Sequence, residues 1–250
     1  YSNDFSIWDL ESVNHYKDQS DIFFTCHEFS YNKIAEAYEP YLGLIRQMFH
    51  RYCSGTLEEF MEECDVYKLQ RPVFESYFEK GFCERTEQIL IDEVEYEQER
   101  MRNSIVTMLQ KLSEIRPVVI VLNRFQLASK STMQLSNSLL QVKNKNIGIV
   151  LGVNDVQSIP EFAHEEWDAI CESMDDRNMV YHIGNAGRNM EPDVMDYYSD
   201  YESDDGYRKL NNLVYFLDFD QADHHLSKIE RRIKFDRICA DTVSVSYTHL

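Results

Sequence analysis

The stretch Arg116-Pro-Val-Val-Ile-Val-Leu-Asn-Arg-Phe-Gln-Leu-Ala-Ser129 constrains the fold of this chain more than any other. From Val118 to Leu122 the residues are apolar without a break, mostly β-branched, with a proline before them and polar residues after. A strand with one wet face would alternate apolar with polar. An unbroken short run reads instead as a strand covered on both faces, at the centre of a parallel sheet. A second run, Ile147-Gly-Ile-Val-Leu-Gly152, follows after a helix-length interval. Between them, Ser129 to Val142 reads as a crossover helix with Met133, Leu135, Leu139 and Leu140 facing inward, and Lys143-Asn-Lys-Asn146 as a turn. The expectation is a right-handed β-α-β unit with its chemistry at the carboxyl ends of the strands.

Helical patterns surround this unit. Residues 1–20 are polar and mixed and say little, and Asp21-Ile-Phe-Phe-Thr-Cys26 reads as a short buried strand ending in a polar loop, His27 to Ser30. Ile34, Ala37, Tyr38, Tyr41, Leu42, Ile45, Met48 and Phe49 recur at spacings of three and four, one face of a helix that Pro40 kinks or divides. From Gly55 to Gly81 the apolar positions Leu57, Phe60, Met61, Val66, Leu69, Phe74 and Phe78 suit two or three short helices. Thr56, followed by Glu59, forms a capping-box signature there. A long helix is expected from Thr86 to Leu112, acidic in its first half, with Met101, Ile105, Met108, Leu109 and Leu112 on one stripe, and Pro117 stops it. Beyond the second run come a helix at Glu161 to Met174 and a short strand at Met179 to Ile183.

Composition changes after residue 183. The segment 184–206 holds three glycines, a proline and an acidic run with tyrosines, and reads as a linker or extended loop. Residues 207–241 return to a helical pair, with Asp218-Phe-Asp220 as the turn. One helical hairpin cannot bury its own apolar faces, so it packs on the preceding domain (1–183) or begins a repeat array. Residues 242–250 read as a non-native tail, and the start at Tyr1 suggests a fragment.

A formal charge of −19 argues against direct nucleic-acid contact, which clustered Lys and Arg make. Cys26, Cys53, Cys64, Cys83, Cys171 and Cys239 show no CxxC pair, so they read as reduced cytoplasmic thiols, mostly small core residues. No apolar run approaches the roughly 20 residues that span a bilayer. His224 and His225 lie beside Asp223, but adjacent histidines point to different sides of a helix, which argues against a shared metal. His164-Glu165-Glu166 lacks the second histidine of HExxH.

The order of these elements, and the stretch Val118-Val-Ile-Val-Leu-Asn-Arg-Phe-Gln-Leu-Ala-Ser129, resembles the ATPase module of the STAND class of P-loop ATPases in large bacterial signalling proteins. Tyr38-Glu-Pro-Tyr-Leu-Gly-Leu-Ile-Arg46 resembles the Pro-Tyr segment after that family's second strand. Ile149-Val-Leu-Gly-Val-Asn154 resembles its sensor strand, and the terminal helical pair its entry into TPR-like repeats. The resemblance implies a partial P-loop-like parallel sheet with flanking helices, a helical segment, and nucleotide contacts at Asn123, Gln126 and Asn154. Two departures matter. No GxxxxGK[ST] is present, so the phosphate loop would lie upstream. Asn123 and Arg124 stand where the family carries its two Walker B acids. An amide brings no charge and a guanidinium repels a metal, which implies ATP and Mg²⁺ handling by the full-length protein with weak or no hydrolysis here. The implied function is a switch controlling an output domain outside the chain. Two alternatives stay open: an ATPase completed by another acid such as Asp155, and a scaffold that binds protein partners and no nucleotide. Asn123 and Arg124 equally suit the strand end of a non-nucleotide α/β domain, and Gln126 and Asn154 ordinary loop positions.

Overall fold

The computed structural model describes residues 19, 21–31, 33–83, 94–142, 144–154, 156, 159–175 and 204–235. The strand expected at residues 179–183, the acidic stretch through 203, Asp155, Cys239, the first turns expected of the long helix, and both ends of the chain lie outside them.

The stretch that anchors the sequence is the middle strand of the sheet. Strands β1 (Phe23–Glu28), β2 (Val118–Asn123) and β3 (Ile147–Leu151) stand in the order β1-β2-β3. Both pairs are parallel, with Phe23 opposite Val118, Glu28 opposite Asn123, and Leu122 opposite Leu151. Between two neighbours β2 loses water along both edges, and its side chains are buried except for half-buried Val119. Cover on the two faces is unequal. Val118, Ile120 and Leu122 enter the main core, whereas Val121 forms a separate small cluster with Phe24, Cys26, Val119 and Val150. The unbroken run therefore marks a central strand, but among the described residues only one face carries the large core.

Helices build that core. Helix α1 (Tyr41–Tyr52) begins directly after Pro40, whose carbonyl accepts the Leu44 N–H at 2.9 Å. The expected helix upstream of Pro40 does not form. A proline ring disfavours helical backbone in the residue before it, and Tyr38 is left-handed at φ 54°. Ile34, Ala37 and Tyr38 are buried from turns instead. Helix α2 (Leu57–Glu63) carries the capping box in full: the Glu59 N–H donates to Thr56 Oγ1 at 3.2 Å and the Thr56 N–H to Glu59 Oε2 at 2.8 Å. Helix α3 (Arg71–Lys80) stops at left-handed Gly81, φ 82°. Leu69, read as part of this apolar pattern, lies in the intervening turn and is 61% exposed.

The long helix, α4, spans Val94–Ile115, three residues beyond the expected end, and its stripe Met101, Ile105, Met108, Leu109 and Leu112 is fully in the core. Each such side chain contributes about 1.5–3 kcal/mol by leaving water. The crossover helix α5 (Lys130–Gln141) is capped by Ser129, whose Oγ accepts the Thr132 N–H. Met133, Leu135 and Leu139 are buried and Leu140 half-buried. A one-turn helix at Glu161–Ala163 leads into α6 (His164–Asp175).

The terminal hairpin is part of the same core. Helices α7 (Asp204–Tyr215) and α8 (Phe219–Phe235) meet through a turn at 216–218, two residues earlier than the sequence pattern suggests. Asp218 is not turn filler: its carboxylate accepts the Ser131 N–H at the start of α5 at 2.9 Å and the Gln221 N–H at the start of α8 at 3.4 Å. Phe216, with no exposed surface, packs edge-on against Tyr38, Phe74 and Tyr77. Gln98 Nε2 donates to the Leu217 carbonyl at 2.6 Å, and Lys130 Nζ lies 2.6 Å from Asp220 Oδ2. The hairpin was expected either to pack on the domain or to begin an array, and in these contacts it packs. Among the described residues no helix is long and apolar enough to cross a membrane.

Candidate functional site

In a parallel sheet all strands end on the same side, so the residues following β1, β2 and β3 converge there. The four positions singled out by sequence all sit at this end. Asn123 closes β2 and is 9% exposed. Its Oδ1 accepts the N–H of the next residue, Arg124, at 3.1 Å, and its carbonyl accepts the Phe29 N–H at 3.1 Å. Arg124 adopts φ 54°, ψ 43° and turns the chain into the one-turn helix Phe125–Leu127. Its Nε lies 3.4 Å from Glu28 Oε1 at the tip of β1, with both side chains about half in solvent (40% and 47% exposed). Gln126 is buried, and its Oε1 accepts the Asn154 N–H at 3.3 Å. The structure thus brings Gln126 and Asn154 into direct contact and draws Arg124 to an acid. Asn123 folds back on its own neighbour. These contacts close the ends of the strands on one another.

A second polar cluster lies beside β1 and escaped the sequence reading. A cleft of about 220 Å³ runs between β1, the 36–40 turn, α1 and α3, lined among others by His27, Glu36, Glu39, Gln47 and Tyr77. His27 belongs to β1, which begins and ends two residues later than expected, because Glu28 still pairs with Asn123. His27 Nε2 is 3.4 Å from Glu39 Oε1, and Glu39 Oε2 accepts the Glu36 N–H at 3.3 Å. The Glu36 carboxylate accepts a hydrogen bond from Asn212 Nδ2 of α7 at 2.8 Å, while Asn212 Oδ1 accepts the Cys83 N–H at 2.8 Å. One buried amide therefore ties the hairpin both to the cleft and to the end of α3's following loop.

Protonation in this cleft is far from that in water. Burial, then the neighbouring Glu39 carboxylate, pushes Glu36 up to about 7, against the opposing Asn212 hydrogen bond. Burial, helped by Lys33, lowers His27 to about 4, so at neutral pH an uncharged imidazole faces Glu39. Burial also raises the Tyr77 phenol, which stays protonated. Chemically the arrangement offers a carboxyl group that titrates near pH 7, a carboxylate, a neutral imidazole and a phenol. Nothing in residue spacing announces it: the groups come from three segments, and only the pair Glu36 and Glu39 before Pro40 is local.

The two adjacent histidines of α8 have separate surroundings. His225 is buried, bonded to Gln221 Nε2 at 2.8 Å and lowered by burial to about 3, whereas His224 packs on Phe162. Among the described residues no group of three His, Cys, Asp or Glu side chains could hold a metal ion. The described cysteines are all free thiols, and burial pushes Cys64 and Cys83 up to about 12, away from reactivity.

Fold and sites together define an α/β domain, whose described residues form a parallel three-stranded sheet with helices packed against it. No protein-family model, no curated protein and no solved structure matches the chain.

Proposed function

We propose that the chain is the core of a cytoplasmic nucleotide-switch module, one that binds ATP without turning it over and controls an output domain outside these residues. The observation that carries this reading is the tip of the central strand. There the strand closes on an amide, Asn123, and a guanidinium paired with Glu28, and on this reading they stand in for the two metal-facing carboxylates that hydrolysis would need. Strand order supports it as well: β3 is an edge of the sheet among the described residues, which leaves a place for a further parallel strand carrying a phosphate loop.

The test uses the protein extended upstream to include any GxxxxGK[ST]. A ligand that binds only the folded state stabilises it by about 2.7 kcal/mol at a hundred times Kd. For a domain of this size that raises Tm by about 5–10 °C. The expected result is such a shift with Mg-ATP and no release of phosphate. Steady phosphate release would replace this reading with an active ATPase. No shift at all would replace it with a scaffold.

A further inference from the structure

The residues at the tip of the central strand do not fit the divalent metal that a nucleotide usually brings to such a site. Mg²⁺ takes oxygen ligands, as a rule with one or two protein carboxylates among them. Among the described residues at which β1, β2 and β3 end, one carboxylate is present, Glu28, and Arg124 Nε lies 3.4 Å from it. The neutral oxygens are engaged as well: Asn123 Oδ1 accepts the Arg124 N–H at 3.1 Å, and Gln126 Oε1 accepts the Asn154 N–H at 3.3 Å. A metal entering here would break these contacts and sit beside a guanidinium.

What the tip does present is Arg124. A left-handed backbone, φ 54°, holds it there, a conformation that residues with a Cβ seldom adopt and that gathers at ligand sites. The side chain is 40% exposed, and among the described residues Glu28 is the one acid that meets it. At 3.4 Å that pair is longer than a charge-assisted hydrogen bond, and exposed pairs of this kind are weak. A guanidinium carries five N–H donors in a planar fork that matches phosphate oxygens two at a time. We infer that, if the nucleotide reading above holds, this strand end meets the phosphates with Arg124 in place of a metal. The module then binds metal-free ATP, and Glu28 competes with the phosphates for the guanidinium. On binding, phosphate oxygens accept the N–H groups that Glu28 otherwise draws, and Glu28, 47% exposed, turns to solvent.

The experiment titrates ATP calorimetrically into the protein extended upstream, once with EDTA and once with excess MgCl₂. The affinity with EDTA is expected to equal or exceed that with MgCl₂. Arg124→Gly, whose backbone suits φ 54°, should lower the affinity for metal-free ATP about ten- to a hundredfold, the loss of a hydrogen bond between charged groups. Glu28→Gln should raise it, because an amide competes less well for the guanidinium. Opposite signs are the signature, since a pair that merely held the tip in shape would weaken binding when broken from either side. Binding that requires Mg²⁺ overturns the inference and leaves the nucleotide reading standing. So does a Glu28→Gln protein that loses affinity for Mg-ATP, which would make Glu28 a metal ligand. Binding under neither condition removes the nucleotide reading and the inference with it. Should Arg124→Gly fail to fold, as seen by circular dichroism, the Glu28→Gln comparison decides alone.

Discussion

At the tips of β2 and β3, Arg124 closes on Glu28 and Gln126 on the backbone of Asn154, while beside β1 two carboxyl groups and a neutral imidazole line one cleft, with no Lys or Arg among the described residues of its lining. The first region satisfies its polar groups with neighbours at the strand ends, at the cost of a left-handed Arg124. In the second, burial raises the Glu36 carboxyl to about 7 and lowers the His27 imidazole to about 4. A closed network fixes a turn, whereas a network balanced on a proton responds to pH. The regions also differ in what supports them. The tip is tied to the strands themselves, but the cleft is held from behind by the hairpin, through Asn212 and through Phe216 against Tyr77.

The largest effect that can break this contrast is expected from Phe216→Ala. Truncating a fully buried phenylalanine costs about 3–5 kcal/mol, read as a lower midpoint in denaturant. Loss of the ring also loosens the hairpin that buries Glu36, so the Glu36 carboxyl, followed by NMR titration, should fall toward its ordinary range. A cost under about 1 kcal/mol would mean that the hairpin is not part of the core.

Next in size is the pH dependence of stability. Glu36 moves from an ordinary 4.5 to about 7 in the folded chain, so the folded state holds its proton more tightly. That contribution is complete below pH 4.5 and is lost as pH rises through 7. His27 and His225 move the other way, from 6.5 to about 4 and about 3. Their contributions are complete above pH 6.5 and are lost as pH falls. Subtracting the parent's stability from that of Glu36→Gln isolates this contribution from the opposing histidines, and the difference should change by about 2 kcal/mol between pH 5 and pH 8 once the partial exposure of Glu36 is discounted. A difference that stays constant with pH would place the titrating group elsewhere.

What could be read from sequence follows the same division. The run Val118–Leu122, the Thr56 and Glu59 cap and the Met101 to Leu112 stripe are local patterns whose causes are local: edge and face burial, first-turn donors, helical period. The hairpin turn was displaced because Asp218, which looks like a turn residue, is held by Ser131 from a helix some ninety positions earlier. His27 and Glu28 extend β1 beyond its apolar residues because Leu122 and Asn123 are there to pair with them, a cause that local polarity does not reveal. That Asn123, Arg124, Gln126 and Asn154 lie at the sheet end is legible because strand ends mark themselves. The cleft is not legible in the same way, since a pocket assembled from β1, a turn and two helices has no spacing to recognise.

The smallest effect sharpens the comparison from the other side. Arg124 sits at φ 54°, where a side chain costs about 1–2 kcal/mol that glycine does not. Arg124→Gly recovers that strain but gives up an exposed ion pair with Glu28, worth about 0–1 kcal/mol, and adds unfolded-state entropy of about 0.4–1 kcal/mol. The terms nearly cancel, so stability should stay within about 1 kcal/mol of the parent and its salt dependence should barely change. A loss of 2 kcal/mol or more, measured by the same denaturant midpoint, would show that the guanidinium does more at the strand tip than meet Glu28. In that case the tip, like the cleft, depends on charge rather than on backbone geometry.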